Sequence, residues 1–482
     1  MISVDEIKTF MDSDAASTKK QLARIGLRYY EGEHDIRQYQ LFFVDADGNI
    51  REDKSRSNIK ISHPFFTELV DQEVQYMLSG KDGFAKSDIP ELQELLDDYF
   101  NDNENFTSEL YEVLTGTISK GFEYMYAYKN AEGKICFQCA DSIGVVEVKE
   151  KESSDGKKYV IYWYIDRSCK GNKRLKRIQL WSETETHFFV QVDGGDIVPD
   201  DAAVLNPRPH TIWRQDGDDQ IYYEGFGFIP FFRLDNSRKQ VSGLKIVKDI
   251  IDDYDLMSCG LSNNIQDANE VLYVVKGFQG DNLDELMQNV RTKKHIGVTD
   301  GGDVDIRTID IPYQARESKL ELDEKNIYRF GMGFNSAQMG DGNVTNVVIK
   351  SRYALLDLKC NKLEIHLKQF MRKILKVVLS EINAEQGTDY QMKDVYFDFE
   401  REVMTNAQDN AQIELTDAQK RQVEINTLLG LRQTLDDETV IQLICEQLDI
   451  NYEDIKDKLP KPEESDPYAA LDGALTEGGA GE

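Results

Sequence analysis

The sequence predicts an α+β fold for this 482-residue chain. Apolar residues recur at threes and fours through most of the first 120 residues, and the period then falls to two between residues 122 and 192. From residue 242 very long helical patterns return, interrupted by one short β-rich stretch.

Residues 4–31 read as one long candidate helix. Residues 63–79 read as another, with Phe66, Leu69, Val70, Val74, Met77 and Leu78 recurring on one face, and residues 105–120 as a third.

The aromatic and β-branched runs at 123–129, 134–139, 145–149 and 159–165 are joined by turn sequences at 130–133 and 155–156. They predict an antiparallel meander that continues through 178–181 and 187–192. The Asn-Pro-Arg-Pro sequence at 206–209 and the Asp-Gly-Asp-Asp sequence at 216–219 break this pattern. A last strand at 229–234 carries its proline near the start, where the missing N–H is tolerated, and the first domain is expected to end near Asn236.

Residues 242–269 predict a long helix with Ser242 as N-cap, extending roughly 40 Å at 1.5 Å per residue. Two short β-type runs, 271–276 and 306–311, enclose a possible helix at 283–292 and a glycine- and aspartate-rich turn region ending at Asp303. The helical period resumes at 319–330, stops at a loop over 331–346, and continues over 347–385 with Leu356, Leu363, Leu367, Phe370, Ile374 and Val377 as its apolar stripe. A strand at 395–401 precedes an acidic helical region over 409–459. The last twenty residues, rich in Pro, Glu, Gly and Ala, read as disordered.

With 40% hydrophobic residues the chain can fill real cores, whereas its net charge of −31 opposes a protein that grips nucleic acid through many lysines and arginines. No run of about 18 apolar residues occurs, and the N-terminal residues are acidic where a signal peptide is basic, so a soluble protein made in the cytoplasm is expected. Cys136, Cys139, Cys169, Cys259, Cys360 and Cys445 are scattered and read as reduced thiols.

Several motifs have the residue types of chemical sites. The 80–87 sequence is one residue short of a phosphate-binding loop, has Ala85 in place of the second glycine and follows a helix, so a helix C-terminal turn is the better reading. Cys136 and Cys139 have redox or half-zinc spacing, yet three residues apart in a strand they face opposite sides. Asp45, Asp47 and Gly48, and likewise Asp300, Asp303 and Asp305, lack the downstream glutamate of a calcium loop and read as turns. The six histidines, His34, His63, His187, His210, His295 and His366, lie far apart and define no catalytic set. The loop over 331–346 is the unusual feature: glycines at 331, 333, 340 and 342 sit among Asn335, Gln338, Met339, Asn343 and Asn346, between two otherwise continuous helical patterns.

Particular residues within this order of parts resemble the portal proteins of tailed double-stranded-DNA bacteriophages, of the type common in siphophages of Gram-positive hosts. They are the Tyr-Tyr-Glu-Gly-Glu sequence at 29–33, the 58–80 segment ending in Tyr-Met-Leu-Ser-Gly, the strand at 121–128 and the Ile-Pro-Phe-Phe-Arg-Leu-Asp-Asn sequence at 229–236. Most specific is the Ile-Ile-Asp-Asp-Tyr-Asp sequence at 250–255 with Ser258 and Asn263. The likeness runs from about residue 29 to 401, and Met404, Thr405 and Asn406 depart from the family's usual proline two residues before the asparagine.

The resemblance implies a portal fold assembled as a closed ring, a dodecamer in the assembled head. It assigns residues 1–236, with the strand at 393–406, to an α/β wing, 242–269 and 314–333 to the stem helices, and 270–313 to a small α/β clip. The tunnel loop is then 334–346, the long wing helix 347–387, the helical crown 408–460, and 461–482 a disordered tail. Implied partners are non-specific double-stranded DNA, the terminase large subunit, a head-completion adaptor, and the major capsid and scaffolding proteins, with no membrane, cofactor, metal or catalytic residue. The implied place is the portal vertex of the virion.

Three residue sets follow from that mapping. Asn335, Gln338, Met339, Asp341, Asn343, Thr345 and Asn346 would border the DNA in the tunnel loop. Lys319, Lys325 and Arg329 would form the channel face of the stem, and Lys276, Arg291, Lys293 and Lys294 the docking surface of the clip. The competing expectations are a nucleotide-dependent enzyme built on the 80–87 loop, and another structural phage protein such as a minor head protein or assembly factor.

Overall fold

Ser17 splits the first helical run. The helix expected over 4–31 is two helices, α1 (Val4–Ala15) and α2 (Thr18–Tyr30), because Ser17 takes an extended backbone and its hydroxyl accepts the Lys20 N–H at 3.3 Å. A side-chain cap of this kind restarts a helix more favourably than it lets one run through. The computed structural model describes residues 2–45, 47–54, 56–130, 133–149, 157–167, 174–214, 221–267, 272–278, 298–307, 313–335, 346–402, 407–430 and 437–447.

A small exposed hairpin, β1 (Phe42–Val44) and β2 (Ile50–Glu52), follows. Its turn is closed by Asp45, whose Oδ1 accepts the N–H groups of Asp47 at 3.0 Å and Asn49 at 2.8 Å, the Asx turn expected of this motif. Helix α3 (Phe65–Met77) buries Phe66, Leu69, Val70, Val74 and Met77 of the stripe read from the sequence, while Leu78 is its half-buried C-cap. After β3 (Ala85–Lys86) and α4 (Pro90–Leu96) comes α5 (Glu104–Lys120), which ends at Gly121. That glycine has φ +98°, and a Cβ on it would stand 2.7 Å from the Gln240 carbonyl oxygen, so only glycine makes this turn.

The period-two region forms two sheets where one meander was expected. Strands β4 (Phe122–Lys129) and β5 (Ile135–Ala140) pair with each other, and β4 also pairs with β14 (Phe231–Asp235). The second sheet runs in order through β6 (Val145–Lys149), β7 (Lys157–Asp166), β8 (Leu175–Trp181), β9 (Glu185–Val192) and β10 (Ile197–Pro199). The break falls at the turn 141–144, where buried Lys20 donates to the carbonyls of Ser142 and Val145 and buried Glu123 accepts the Ser142 N–H. These side chains occupy backbone groups that a continuing ladder would use.

Residues 206–224, expected as irregular, add β11 (Arg208–Pro209) to β9 and make a hairpin of β12 (Thr211–Arg214) and β13 (Ile221–Glu224). Helix α1 covers the larger sheet through Ile7 and Met11, against Ile161, Ile178 and Leu180.

Helix α6 (Leu244–Asp267) and helix α7 (Tyr313–Gly331) pack side by side, and Lys319 of α7 reaches Asp253 of α6 at 2.5 Å. Ser242 caps α6 as expected, accepting the Leu244 N–H at 3.1 Å. Between the helices lies the antiparallel pair β15 (Leu272–Phe278) and β16 (Val298–Arg307). The stretch from Val298 to Asp303, read from its glycines as a turn, is strand: a register shift between Lys276 and Phe278 absorbs Gly277 and Gly301, both at positive φ. The possible helix at 283–292 lies outside the described residues.

The longest element is α8 (Asn346–Gln386), whose buried face includes Leu356, Leu363, Leu367, Phe370, Ile374 and Val377, every residue of the expected stripe. It packs in one core with α3, α5 and the β4–β5 sheet. The strand expected over 395–401 is only β17 (Tyr396–Phe397), paired with β3. Near residue 403 the chain passes into a second compact unit, in which α9 (Ala407–Gly430) and α10 (Asp437–Gln447) contact one another. The rest of the acidic region and the terminal tail lie outside the described residues.

Candidate functional site

Along one face of α6, every fourth residue is polar or a thiol: Asp255, Cys259, Asn263 and Asp267. An extended segment, residues 57–63, runs antiparallel to that face and gives it every second backbone N–H. Ser57 donates to Asp267 Oδ1 at 3.2 Å, Ile59 to Asn263 Oδ1 at 2.7 Å, Ile61 to Cys259 Sγ at 3.2 Å and His63 to Asp255 Oδ1 at 2.9 Å. Two extended residues span about 6.6 Å and four helical residues about 6.0 Å, so the two periods stay in phase over these four rungs.

Asp255 is the most enclosed rung, with its side chain fully buried. Its two oxygens meet His34 Nδ1 at 2.6 Å and His63 Nδ1 at 2.7 Å. An ionised carboxylate only accepts, so both rings present N–H there. Burial works to raise the Asp255 pKa, but the hydrogen bonds from His34 and His63 outweigh it and hold the carboxyl below its ordinary value. His34 stacks on Tyr29 with centroids 4.5 Å apart, and Tyr29 donates to Asp252, so the end of α2 is fastened to the same helix. Lys248 bridges Asp35 at 2.7 Å and Asp252 at 2.6 Å.

Ser258 Oγ lies 3.5 Å from His63 Nε2, which completes a Ser-His-Asp series. It is not a nucleophile site: 3.5 Å is the outer limit of a hydrogen bond, and mid-helix N–H groups are already spent on the helix ladder and cannot form an oxyanion hole.

Helix α3 seats the far end of α7 and the root of the following loop. Tyr328 donates to Glu68 Oε2 at 2.5 Å, and a Cβ on Gly331 would stand 2.6 Å from Leu69 Cδ1. Gln72 grips Phe334 twice, accepting its N–H at 2.9 Å and donating to its carbonyl at 2.7 Å. The Phe334 ring stacks on Tyr353 of α8 at 5.1 Å. The N-terminal root of the glycine-rich loop is therefore fixed on α3, with α8 packed beside it.

Of the residues expected to face DNA, Lys325 and Arg329 are exposed on α7. Lys319 is held between Asp253 and Asp323, and Asn335 is 9% exposed and donates to Glu324 Oε1 at 2.8 Å. Asn346 is the first residue of α8, while Gln338, Met339, Asp341, Asn343 and Thr345 lie outside the described residues. In the clip set Lys276 is exposed on β15, and Arg291, Lys293 and Lys294 lie outside the described residues.

The 80–87 loop forms no anion cradle, since the Ala85 N–H donates to Asn101 and the Ser87 N–H to Gln93. Cys136 and Cys139 are not joined in a disulfide, and burial pushes the Cys139 thiol pKa up. Among the described residues no group of three or more potential ligands is placed to hold a metal ion, and no helix is long and apolar enough to cross a membrane.

The His34–Asp255–His63 centre was not anticipated from the sequence. Its one signal is the stride of four from Asp255 to Asp267, which includes Asp255 and Asn263, two of the positions singled out by the resemblance.

A helix pair bridged by a small β module, followed by a loop and a long amphipathic helix, defines the class to which comparison with known proteins also leads. The family model described as phage portal protein, SPP1 Gp6-like, matches residues 14–453, and the chain belongs to that family. It is 28% identical over 351 residues to the portal protein of Bacillus phage SPP1, covering 72% of this chain and 67% of that one. It is 24% identical over 434 residues to the portal protein of Clostridium phage phiCD119, covering 86% and 89%. Portal proteins are structural, non-enzymatic capsid components that form oligomeric rings.

Proposed function

We propose that this chain is the subunit of a dodecameric ring at one capsid vertex, the channel through which double-stranded DNA is packaged and later ejected. The observation that carries this reading is the side-by-side pair α6 and α7, bridged by the β15–β16 hairpin and rooted on α3. In the ring these helices are the stem, residues 270–313 the clip, 334–346 the tunnel loop, 408–460 the crown, and residues 1–236 with 393–406 the wing.

A conduit needs walls that do not hold the duplex, because every phosphate contact adds salt-dependent affinity and so friction. A chain of net charge −31 repels DNA, and with a Debye length of about 10 Å at 0.1 M salt the repulsion acts only near the wall. Exposed Lys325 and Arg329, with Gln338, Met339 and Asn343 of the loop, supply brief contacts. Lys319 and Asn335, engaged within the subunit, hold the helices and the loop root in place.

The terminase large subunit docks on the clip, Lys276 included, during packaging, and a head-completion adaptor follows. The subunit itself hydrolyses nothing and resides in the virion beside capsid and scaffolding proteins. Negative-stain electron microscopy of the purified chain at several concentrations tests the reading. Rings of about twelve subunits with a central hole are expected, whereas a protein that stays monomeric alongside capsid and scaffolding proteins would refute it.

A further inference from the structure

Helix α8 is two-faced, and among the described residues only one face is buried. Opposite its buried stripe lie Leu355, Leu358, Lys362, Ile365, Gln369, Arg372 and Lys376, alternately three and four residues apart and all exposed. The three aliphatic side chains are 44%, 52% and 61% exposed. This is the heptad spacing with which one helix meets another element along a seam.

The charge of the helix is opposite to that of the protein. Residues 346–386 hold eight lysines and arginines against four acidic residues, net +4, so the rest of the −31 chain carries −35. The cations turned toward the body of the subunit are paired, Lys359 with Glu73 at 2.8 Å and Lys368 with Glu364 at 2.7 Å. Among the described residues Lys362, Arg372, Lys373 and Lys376 make no ion pair; Lys362 and Arg372 lie on the outer face, while Lys373 and Lys376 stand at its edge, where they also line the cavity between α8 and β14.

We infer that this outer face of α8 is a docking surface for a second copy of the chain, the aliphatic N-terminal half supplying burial and the basic C-terminal half attraction to the neighbour's acidic surface. The inference rests on the ring reading above and deepens it by naming a contact surface. Duplex DNA is the weaker occupant, because phosphate contacts employ the cations and leave three exposed aliphatic side chains without a partner. From Leu355 to Lys376 the stripe is about 32 Å long and about 10 Å wide. A stable interface needs about 800 Å² per partner, so the stripe forms roughly half of one.

The full-length chain is compared by mass photometry across concentration and salt with the exposed-face variants Leu358→Asp/Ile365→Asp and Arg372→Glu/Lys376→Glu, whose folding is checked by circular dichroism. The first variant is expected to need about tenfold more protein for half-assembly, and the second to lose assembly chiefly at low salt. A photo-crosslinking residue at position 365 of the otherwise native chain is expected to join two copies. Unchanged assembly of both folded variants, or crosslinks only to added DNA, overturns the inference while leaving the ring intact. A wild-type chain that never assembles overturns the ring reading itself, and this surface with it.

Discussion

Asn263 accepts the backbone N–H of Ile59 at 2.7 Å across 204 positions of sequence. It is one rung of a ladder in which an extended segment reads a helix face at two residues for every four, so that residues 57–63 move with α6 as one body. In the ring reading, α6 is the stem, and the ladder joins the exposed β1–β2 hairpin region to the channel wall.

Replacing Asn263 by alanine leaves the Ile59 N–H without its acceptor and is expected to destabilise the fold by about 1–2 kcal/mol. Chemical denaturation measures the loss, and limited proteolysis at exposed Lys60 is expected to accelerate more than cleavage elsewhere. Equal protection of the segment in both proteins would contradict the ladder's role.

Asp255→Asn removes the charge that both histidine rings address and is expected to cost about 3 kcal/mol at neutral pH. The Asp255 carboxyl is held below its ordinary 3.8 in the folded chain, so its contribution is present above that value and lost as pH falls through the lowered folded pKa. Melting curves of wild type and variant are therefore expected to converge toward low pH.

Glu123 behaves in the opposite sense. Burial raises its pKa from 4.5 to about 7, against the attraction of Lys120, so the folded state binds more protons than the unfolded state between those values. The contribution is fully present below 4.5 and declines as pH rises toward 7. Glu123→Gln is expected to flatten the pH dependence of stability across this window, by an amount on the order of 1–3 kcal/mol. A variant whose stability profile parallels that of wild type would show that Glu123 does not titrate there.

Gly331→Ala places a methyl group against Leu69 and is expected to destabilise the loop root by about 1–3 kcal/mol. Leu69→Val should recover part of that loss in a double-mutant cycle, because the two sites are in contact. Additive effects would indicate that the loop root is not seated on α3 as described.

In the proposed channel, Lys325→Ala/Arg329→Ala is expected to reduce DNA retention in packaged heads without altering subunit stability, since both residues are exposed. Lys319→Ala should do the reverse, because Lys319 binds Asp253 and Asp323 within the subunit. Unchanged packaging and retention in the double variant would remove these residues from the channel assignment.

Much of the fold was legible because helix and strand periods are local. The apolar stripes of α3 and α8 could be read residue by residue, since a buried helix face must repeat near 3.6 residues whatever covers it. The errors fall where a side chain from elsewhere captures backbone groups, or where a bulge absorbs glycines. Ser17 restarted a helix, Lys20 and Glu123 cut one expected meander into two sheets, and the bulge near Gly277 made strand of an expected turn.

The sequence by itself determined the family, through short residue strings that need no partner to be recognised, along with the amphipathic faces and the acidic balance that disfavours tight DNA binding. Only the tertiary structure decided which polar residues meet. His34 and His63 lie 221 and 192 positions from Asp255, and nothing local to any of them specifies the others. Their meeting follows from the packing of α2, α3 and α6 around one core. Once burial removes water from Asp255, hydrogen-bond donors must be supplied by whatever that packing brings within reach.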